Sequence, residues 1–524
     1  MQRRHFLQTG AALGLVAPAR SRSAASSTLR FVPNSDLTIV DPHVTAAYVT
    51  RMFAFMAYDT LYGMDDAFRS QPQMVDGHVV DDDGRRWTLR LRDGLRFHDG
   101  EPVLARDVVA SLQRWGRVDA FGQSLMTATD SLSATSDTDV VFRLKAPFPL
   151  LPDALAKSTS YVPVIMPERL ATASRRPLTE VVGSGPFRYL AGERVDGVRS
   201  IFERFAGYVP RPSGSTQFTA GPKVARLDRV EWRTITDDAT AAAALQQGEV
   251  DWWERPIIDL IPALRRNPDI VVEVIDQTGF MGIIRFNQLH PPFDNPAIRR
   301  AALGMIDAAD LMTAVAGADR SLWNDKVGVF CPQSPMATDA GLDVLTAPRN
   351  LPQARQALAA AGYRGEKVVF LTPTNNQATN TLSQVSADAL RQGGFNVDLV
   401  EMDFGNWLTR RANKAAPGQG GWSATTSFLS GLDLWDPAVH LAIRGNGAAA
   451  WAGWPESPRL EALRTAWFEA PGEAERKAVC RDLQTQVWTD VPYIPGGQWR
   501  QPTAHRRNLR GMLRGLPLFY NVEL

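Results

Sequence analysis

Residues 87–115 read WTLRLRDGLRFHDGEPVLARDVVASLQRW. Trp87, Leu89 and Leu91 alternate with Thr88, Arg90 and Arg92, the period of a half-buried strand. Asp93-Gly94 supplies a turn, Leu95 and Phe97 resume the alternation, and Asp99-Gly100 turns the chain again. Val108, Leu112 and Trp115 then fall at i, i+4 and i+7, one face of a helix, with Asp107 near its positive end. This strand, turn and helix signature carries no reactive group. It therefore speaks to architecture first.

The same alternation of elements extends outward. Leu29 to Val32 reads as a short strand. In 230–254, VEWRTITDDATAAAALQQGEVDWWE, Val230 and Trp232 start a strand and Asp237 or Asp238 can cap a helix. Ala241 to Gln247 are strong helix formers, Gly248 ends them, and Val250 to Trp253 begin another strand. In 279–307, a strand ends at Phe286-Asn287, and Asn295 caps a helix with Pro296 in its first turn. Ile298, Ala302 and Met305 form the buried stripe of that helix. Leu351 to Tyr363 reads as a helix ending at Gly362, Lys367 to Leu371 as a strand, 380–393 as a helix and Asn396 to Glu401 as a strand. Alternating helices and strands predict an α/β fold with a mostly parallel sheet covered on both faces. Pro210 to Gly221 reads as a polar surface loop.

At 524 residues the chain exceeds one compact core, so about two or three domains are expected. A formal net charge of +1, without basic runs carrying interleaved aromatics, argues against a nucleic-acid partner. Fourteen tryptophans suit either a ligand cavity or a large core. Arg3-Arg4-His5-Phe6-Leu7, a short apolar run from Gly10 to Ala19 and the small residues Ser23-Ala24-Ala25 predict a signal peptide over 1–25. The arginine pair is of twin-arginine type; Gln8, where a lysine is common, leaves the Sec route open. The mature protein is then expected to start near Ser26 in the periplasm, with no lipid anchor and no later membrane span. Cys331 and Cys480 either pair or remain buried thiols, and their number excludes multi-cysteine metal sites.

The 87–115 block resembles the "LRxGvxFHDGxPxxAxDVxxS" segment of family 5 extracytoplasmic solute-binding proteins, the oligopeptide, dipeptide and nickel receptors of ABC importers. Further matches span roughly residues 28–524: TIVDPH around Asp41, YDTLY at 58–62, VVGSGPFRY at 181–189, the Gly248-Glu249-Val250-Asp251 unit, FNQLHPPFDNPAIRRAALGMID to Asp307, and VPYIPGGQW at 491–499. The resemblance implies a type II periplasmic-binding-protein fold with two lobes and an extra inserted domain. It assigns 26–57, 184–276 and 490–524 to domain I, 58–183 to domain II and 277–489 to domain III. YDTLY would lie on a helix opening domain II. Crossings near 276 and 489 would form the hinge of a cleft that closes on its ligand.

Peptide-binding members hold the ligand's amino terminus with an aspartate in a stretch like "GWxxDYxxP". Gly421-Trp422-Ser423 followed by Asp433-Leu434-Trp435-Asp436-Pro437 resembles it, although an extension separates Trp422 from Asp433. Asp433 is thus the expected amine-binding carboxylate, since a buried unpaired carboxylate calls for a cationic partner; a loop-turn role is its structural alternative. Asp436 before Pro437 reads as a helix N-cap. Backbone groups of Trp422 and Ser423 are expected to bind an extended ligand as in strand addition. Trp422, Trp435, Phe280, Trp253 and Tyr48 are candidate cavity walls, each with core packing as the alternative. Arg444 is a conceivable carboxylate acceptor without motif support. The seven histidines show neither i, i+4 nor HxH spacing, so no metal and no cofactor is expected.

The expected function is that of a non-enzymatic receptor, a monomer delivering a peptide or peptide-like solute to ABC permease and ATPase subunits. A Tat-exported hydrolase or redox enzyme is the alternative from another class. A G-x-S-x-G elbow, a phosphate loop and an H-E-x-x-H motif are all missing from the sequence. A periplasmic sensor or chaperone using the same cleft is the third reading.

Overall fold

The computed structural model describes residues 27–173 and 177–524. The expected signal peptide and its cleavage site lie outside these residues. Two large sheets organise the chain. The first has seven strands, in the order Ile270–Glu273, Thr503–Arg506, Trp252–Trp253, Thr28–Val32, Arg229–Arg233, Arg199–Arg204 and Phe187–Tyr189. The second has six, in the order Trp323–Asn324, Tyr493–Trp499, Phe280–Phe286, Ala424–Ser430, Lys367–Pro373 and Asn396–Met402. Each sheet is the spine of one lobe.

Both sheets are mixed, which corrects the expectation of mostly parallel pairing. Thr28–Val32 runs parallel to Arg229–Arg233 and Trp252–Trp253, and Lys367–Pro373 runs parallel to both its neighbours. The remaining strand pairs of these two sheets are antiparallel. Parallel neighbours need a long crossover, which the helix Asp238–Gln247 supplies before Trp252–Trp253; strands returning from the other lobe or through a short loop enter antiparallel.

The 87–115 block belongs to a separate four-stranded antiparallel sheet, Val75–Asp81, Arg86–Leu91, Asp139–Leu144 and Thr129–Ala134, inserted in sequence between the first two strands of lobe one. Trp87, Leu89 and Leu91 are buried as their alternation requires. Leu95 and Phe97 are also buried, but they lie in a turn held by a single bridge between Arg96 and Pro102 rather than in a strand. The helix Ala105–Trp115 buries Val108, Leu112 and Trp115 completely, and each such side chain contributes roughly 1.5–3 kcal/mol. Asp107 accepts from the amide of Leu104 at 2.9 Å and from that of Glu168 at 2.8 Å, tying the helix start to its neighbour.

The glycine-rich return segment explains the "FHDG" wording. A Cβ on Gly183 would lie 1.7 Å from the Ala57 carbonyl oxygen, so only glycine fits there. His98 clamps the segment. The Gly183 amide donates to its Nδ1 at 3.2 Å, which makes Nε2 the protonated nitrogen, and Nε2 donates to the Gly185 carbonyl at 3.0 Å. Burial holds the imidazole neutral, with its pKa lowered to about 4.

Three further expectations are corrected. YDTLY is not helical: the helix Tyr48–Ala57 stops at Tyr58, whose backbone is extended, and Tyr62–Met64 is already a strand. The turn directs Asp59 inward to Lys223, Tyr208 and its own neighbour's amide. The segment from 490 does not return at once to lobe one, because Tyr493–Trp499 pairs with Phe280–Phe286 inside the lobe-two sheet; the crossing comes between Trp499 and Thr503. Phe218, Thr219 and Ala220 in the proline- and glycine-rich loop are buried, with the Thr219 hydroxyl accepting from the Met64 amide at 2.8 Å.

Candidate functional site

The lobes are joined by two adjacent crossings, 274–279 and 500–502. Phe280 and Trp499 are partners in register where the crossings end. Gly279 has φ +55°, and a Cβ there would strike the Trp499 carbonyl oxygen at 2.4 Å, so the two chains pass closely only because this residue is glycine. Asp276 fixes the first crossing by accepting from the Thr278 amide and hydroxyl at 2.9 and 2.6 Å. Burial raises the pKa of its carboxyl.

A small cavity of about 20 Å³ sits at this junction, lined by Tyr48, Glu254, Arg255, Asp276, Phe280 and Gln501 among others. That volume suits one water molecule. Tyr48 opens the helix Tyr48–Ala57, Glu254 and Arg255 follow the strand Trp252–Trp253, and Phe280 begins the central strand of lobe two. The Arg255 guanidinium sits against two neighbouring rings, with Cζ 4.5 Å from the Tyr48 centroid and 4.3 Å from that of Phe280, the centroids themselves being 5.7 Å apart. Both distances are within cation–π range, the two rings approaching from adjacent directions rather than from opposite faces. Its Nε is 2.9 Å from Glu254 Oε1, and Glu254 Oε2 accepts from the Asn34 amide at 2.8 Å. Burial raises the pKa of Glu254 against the pull of Arg255.

One helical turn beyond Tyr48, Arg51 reaches across the boundary between lobes. Its Nη2 donates to both oxygens of Asp433, at 2.7 and 2.8 Å, and to the Ser160 hydroxyl at 2.7 Å. Asp433 Oδ1 also accepts from the Ser160 amide and hydroxyl at 3.3 and 3.4 Å. Asp433 is therefore at the lobe boundary but is not the unpaired carboxylate that was expected: Arg51 fills that role from within the chain. Lys157, close by, is paired with Asp119 at 2.8 Å.

The expected site residues divide into two groups. Tyr48 and Phe280 face each other with ring centroids 5.7 Å apart, Asp433 is held by Arg51, and the Trp435 ring lies 4.5 Å from Phe68. Trp253, Trp422 and Ser423 do not join them. Trp253 is buried in the lobe-one core with Val32, Leu245 and Ala504. Trp422 packs with Trp407 and Trp454 and donates its indole N–H to the Arg411 carbonyl at 3.0 Å. The Ser423 amide donates to Val369, its carbonyl accepts from Asn287, and its hydroxyl accepts from the Val369 amide. With its backbone consumed by the sheet, strand addition at Ser423 has no free groups to use.

Arg444 is paired with Glu461 at 3.0 Å. The Asp436 carboxylate accepts from the amides of Ala438 and Val439 at 2.8 and 3.3 Å, capping a turn rather than a helix. Arg51, Arg255 and Ser160 were not singled out in the sequence. A signal for Arg51 was present, since it is the only charge in the apolar run YVTRMFAFMA. Among the described residues no cluster of three or more metal-ligating side chains occurs, and no helix is long and apolar enough to cross a membrane.

Comparison with known proteins agrees with this architecture. The model of the bacterial extracellular solute-binding proteins, family 5, matches residues 69–432. A probable peptide ABC transporter periplasmic-binding protein of Sinorhizobium fredii is 34% identical over 526 residues, covering 99% of this chain and 97% of that protein. Among solved structures, the binding protein AgaA of A. tumefaciens R10 in complex with agropinic acid superposes with a TM-score of 0.79 at 19% identity, covering 95% of this chain and 98% of that one. DppA of Helicobacter pylori in complex with the peptide STSA gives 0.79 at 20% identity, with the same coverage.

Proposed function

This chain belongs to the bacterial extracellular solute-binding proteins of family 5, and from that premise we propose that it is the monomeric receptor of an ABC importer, capturing a small peptide or peptide-like solute between its lobes. The solute leaves chemically unchanged, handed to permease and ATPase subunits in the membrane. Residues 1–25 act as the signal peptide that exports the protein to the periplasm, by the twin-arginine route or by Sec. The supporting relative is itself described as a probable peptide receptor.

The observation that carries the reading is the pairing of two separate sheets through crossings at 274–279 and 500–502. Two adjacent strands of chain let the lobes rotate about one axis, opening and closing the space beside Tyr48 and Phe280. Aromatic walls beside a few charged groups suit a solute with mixed apolar and polar parts.

Mass spectrometry of whatever co-purifies with the natively exported protein tests this function, followed by calorimetry with the identified compound and small-angle scattering. An unmodified solute that binds one to one and contracts the scattering envelope is the expected result. A captured compound that emerges chemically altered, or tight binding without contraction, contradicts it.

A further inference from the structure

No chain segment joins the inserted domain to lobe two. The insert leaves and re-enters lobe one, and the crossings at 274–279 and 500–502 connect lobe one with lobe two. Contacts between the insert and lobe two are therefore non-covalent, and opening the lobes breaks them. One such contact is built from elements other than the crossings. The helix Pro458–Glu469 of lobe two packs along Glu473–Asp490 of the same lobe and carries the half-buried Phe468 near its C-terminal end. Phe468 meets two buried rings of the insert, Phe121 on the helix Ala120–Ala128 and Phe148 beyond the strand Asp139–Leu144. Centroids lie 5.8 Å from Phe121 and 5.9 Å from Phe148, with 6.4 Å between those two, so the three rings close a triangle. These separations fall in the range of attractive aromatic pairs. One turn earlier on the same helix, Arg464 holds its Cζ 4.8 Å from the Phe468 centroid. Its Nη2 donates to the Ser124 hydroxyl at 3.2 Å and to the Ala120 carbonyl at 3.4 Å, both in the insert. Its Nε donates to the Pro437 carbonyl of its own lobe at 2.9 Å, which fixes the orientation of the guanidinium.

We infer that Phe468 and Arg464 form a latch that fastens the inserted domain to lobe two in the closed form. Neither residue lines the junction cavity beside Tyr48 and Phe280. Opening uncovers apolar faces of three phenylalanines and strips Arg464 Nη2 of both acceptors, so the latch favours closure by a contribution that no solute contact supplies. A change confined to the latch shifts the ratio of open to closed protein and leaves the groups around the junction cavity in place. The inference rests on the receptor reading for its use, which is to slow the release of a captured solute; the contact itself needs no solute.

The test measures the opening directly, in protein freed of any co-purified solute by dialysis against urea and refolding. Nitroxide labels at Val79→Cys in the insert and Val344→Cys in lobe two, which are exposed positions, report the distance between the two bodies by pulsed electron paramagnetic resonance. The native thiols, Cys331 and Cys480, are buried and stay unlabelled. The labelled parent should show a dominant short-distance population. Phe468→Ala should raise the long-distance fraction several-fold and enlarge the radius of gyration in small-angle scattering. Ser124→Asp, which offers Arg464 a carboxylate, should lower that fraction below the parent's. Arg464→Met decides the matter if Phe468→Ala does not fold, with the same direction expected. The inference is overturned if the distance distribution of the folded latch variant matches the parent's, or if Ser124→Asp increases the long-distance fraction. These outcomes are separable from the receptor reading. Solute-dependent contraction of the envelope alongside unchanged distances in Phe468→Ala removes the latch alone. A latch that opens as expected in a protein that captures no solute removes the receptor reading alone.

Discussion

Lys223 places its ammonium 2.7 Å from the carboxylate of Asp59, and neither side chain is more than 1% exposed. The pair joins the turn after the first helix to the segment that precedes the strand Arg229–Arg233. Tyr208 donates to Asp59 Oδ2 at 2.8 Å and the Thr60 amide donates to Oδ1 at 2.9 Å, so the carboxylate is fully satisfied. Removing one partner leaves an uncompensated buried charge. Lys223→Met should therefore cost about 3–5 kcal/mol. Lys223→Met combined with Asp59→Asn should recover part of that loss, as measured by urea denaturation. A single variant as stable as the parent would show that the pair contributes nothing.

His98 makes stability depend on pH. Its folded pKa is lowered to about 4 by burial, from an ordinary value of 6.5. The unfolded chain thus binds the proton more readily, and stability is complete above pH 6.5 and falls as pH drops toward 4. The loss across that window is about 3 kcal/mol from this residue. Denaturation midpoints between pH 7 and pH 4 should decline less steeply in His98→Asn than in the parent. Parallel curves would refute a neutral buried imidazole.

Tryptophans in the core and aromatics at the lobe boundary should separate in their effects. Trp253→Ala and Trp422→Ala should each lose about 3–5 kcal/mol of stability while solute affinity in the folded fraction stays within about twofold, because neither ring reaches the boundary. Phe280→Ala should weaken binding roughly tenfold by removing one of the two rings that lie against Arg255. Calorimetry with the co-purified solute checks both. Loss of affinity in Trp253→Ala at full foldedness would place that ring in the site.

Both cysteines are buried free thiols, and burial pushes the Cys331 thiol up to about 12. Thiolate is the reactive form. Native protein should therefore show no fast-reacting thiol toward a disulfide reagent, and denatured protein should show two. One fewer thiol after denaturation without reductant would mean an intermolecular bond has formed.

Much of the local structure was legible because its causes lie within a few residues. The alternation at 87–91 buries Trp87, Leu89 and Leu91, and Asn295 caps its helix by accepting from the Ala297 amide at 2.9 Å. Asp237 does the same for the Thr240 amide at 2.7 Å. The site was legible only in part. Tyr48 and Phe280 lie beside the crossings and Asp433 pairs with Arg51 of the other lobe, whereas Trp253, Trp422 and Ser423 are absorbed by sheet and core.

The sequence by itself determined the elements, their caps and the family wording, since periodicity, turn residues and N-cap oxygens act over one or two turns of chain. Tertiary structure alone decided which charge meets which. Arg51 and Asp433 are 382 positions apart, and no local pattern encodes a contact across that distance. The direction of the returning strands and the point where the last crossing occurs depend on the same long-range packing. A carboxylate that reads as free in one dimension is neutralised in three, because folding brings the Arg51 guanidinium to 2.7 Å from Asp433.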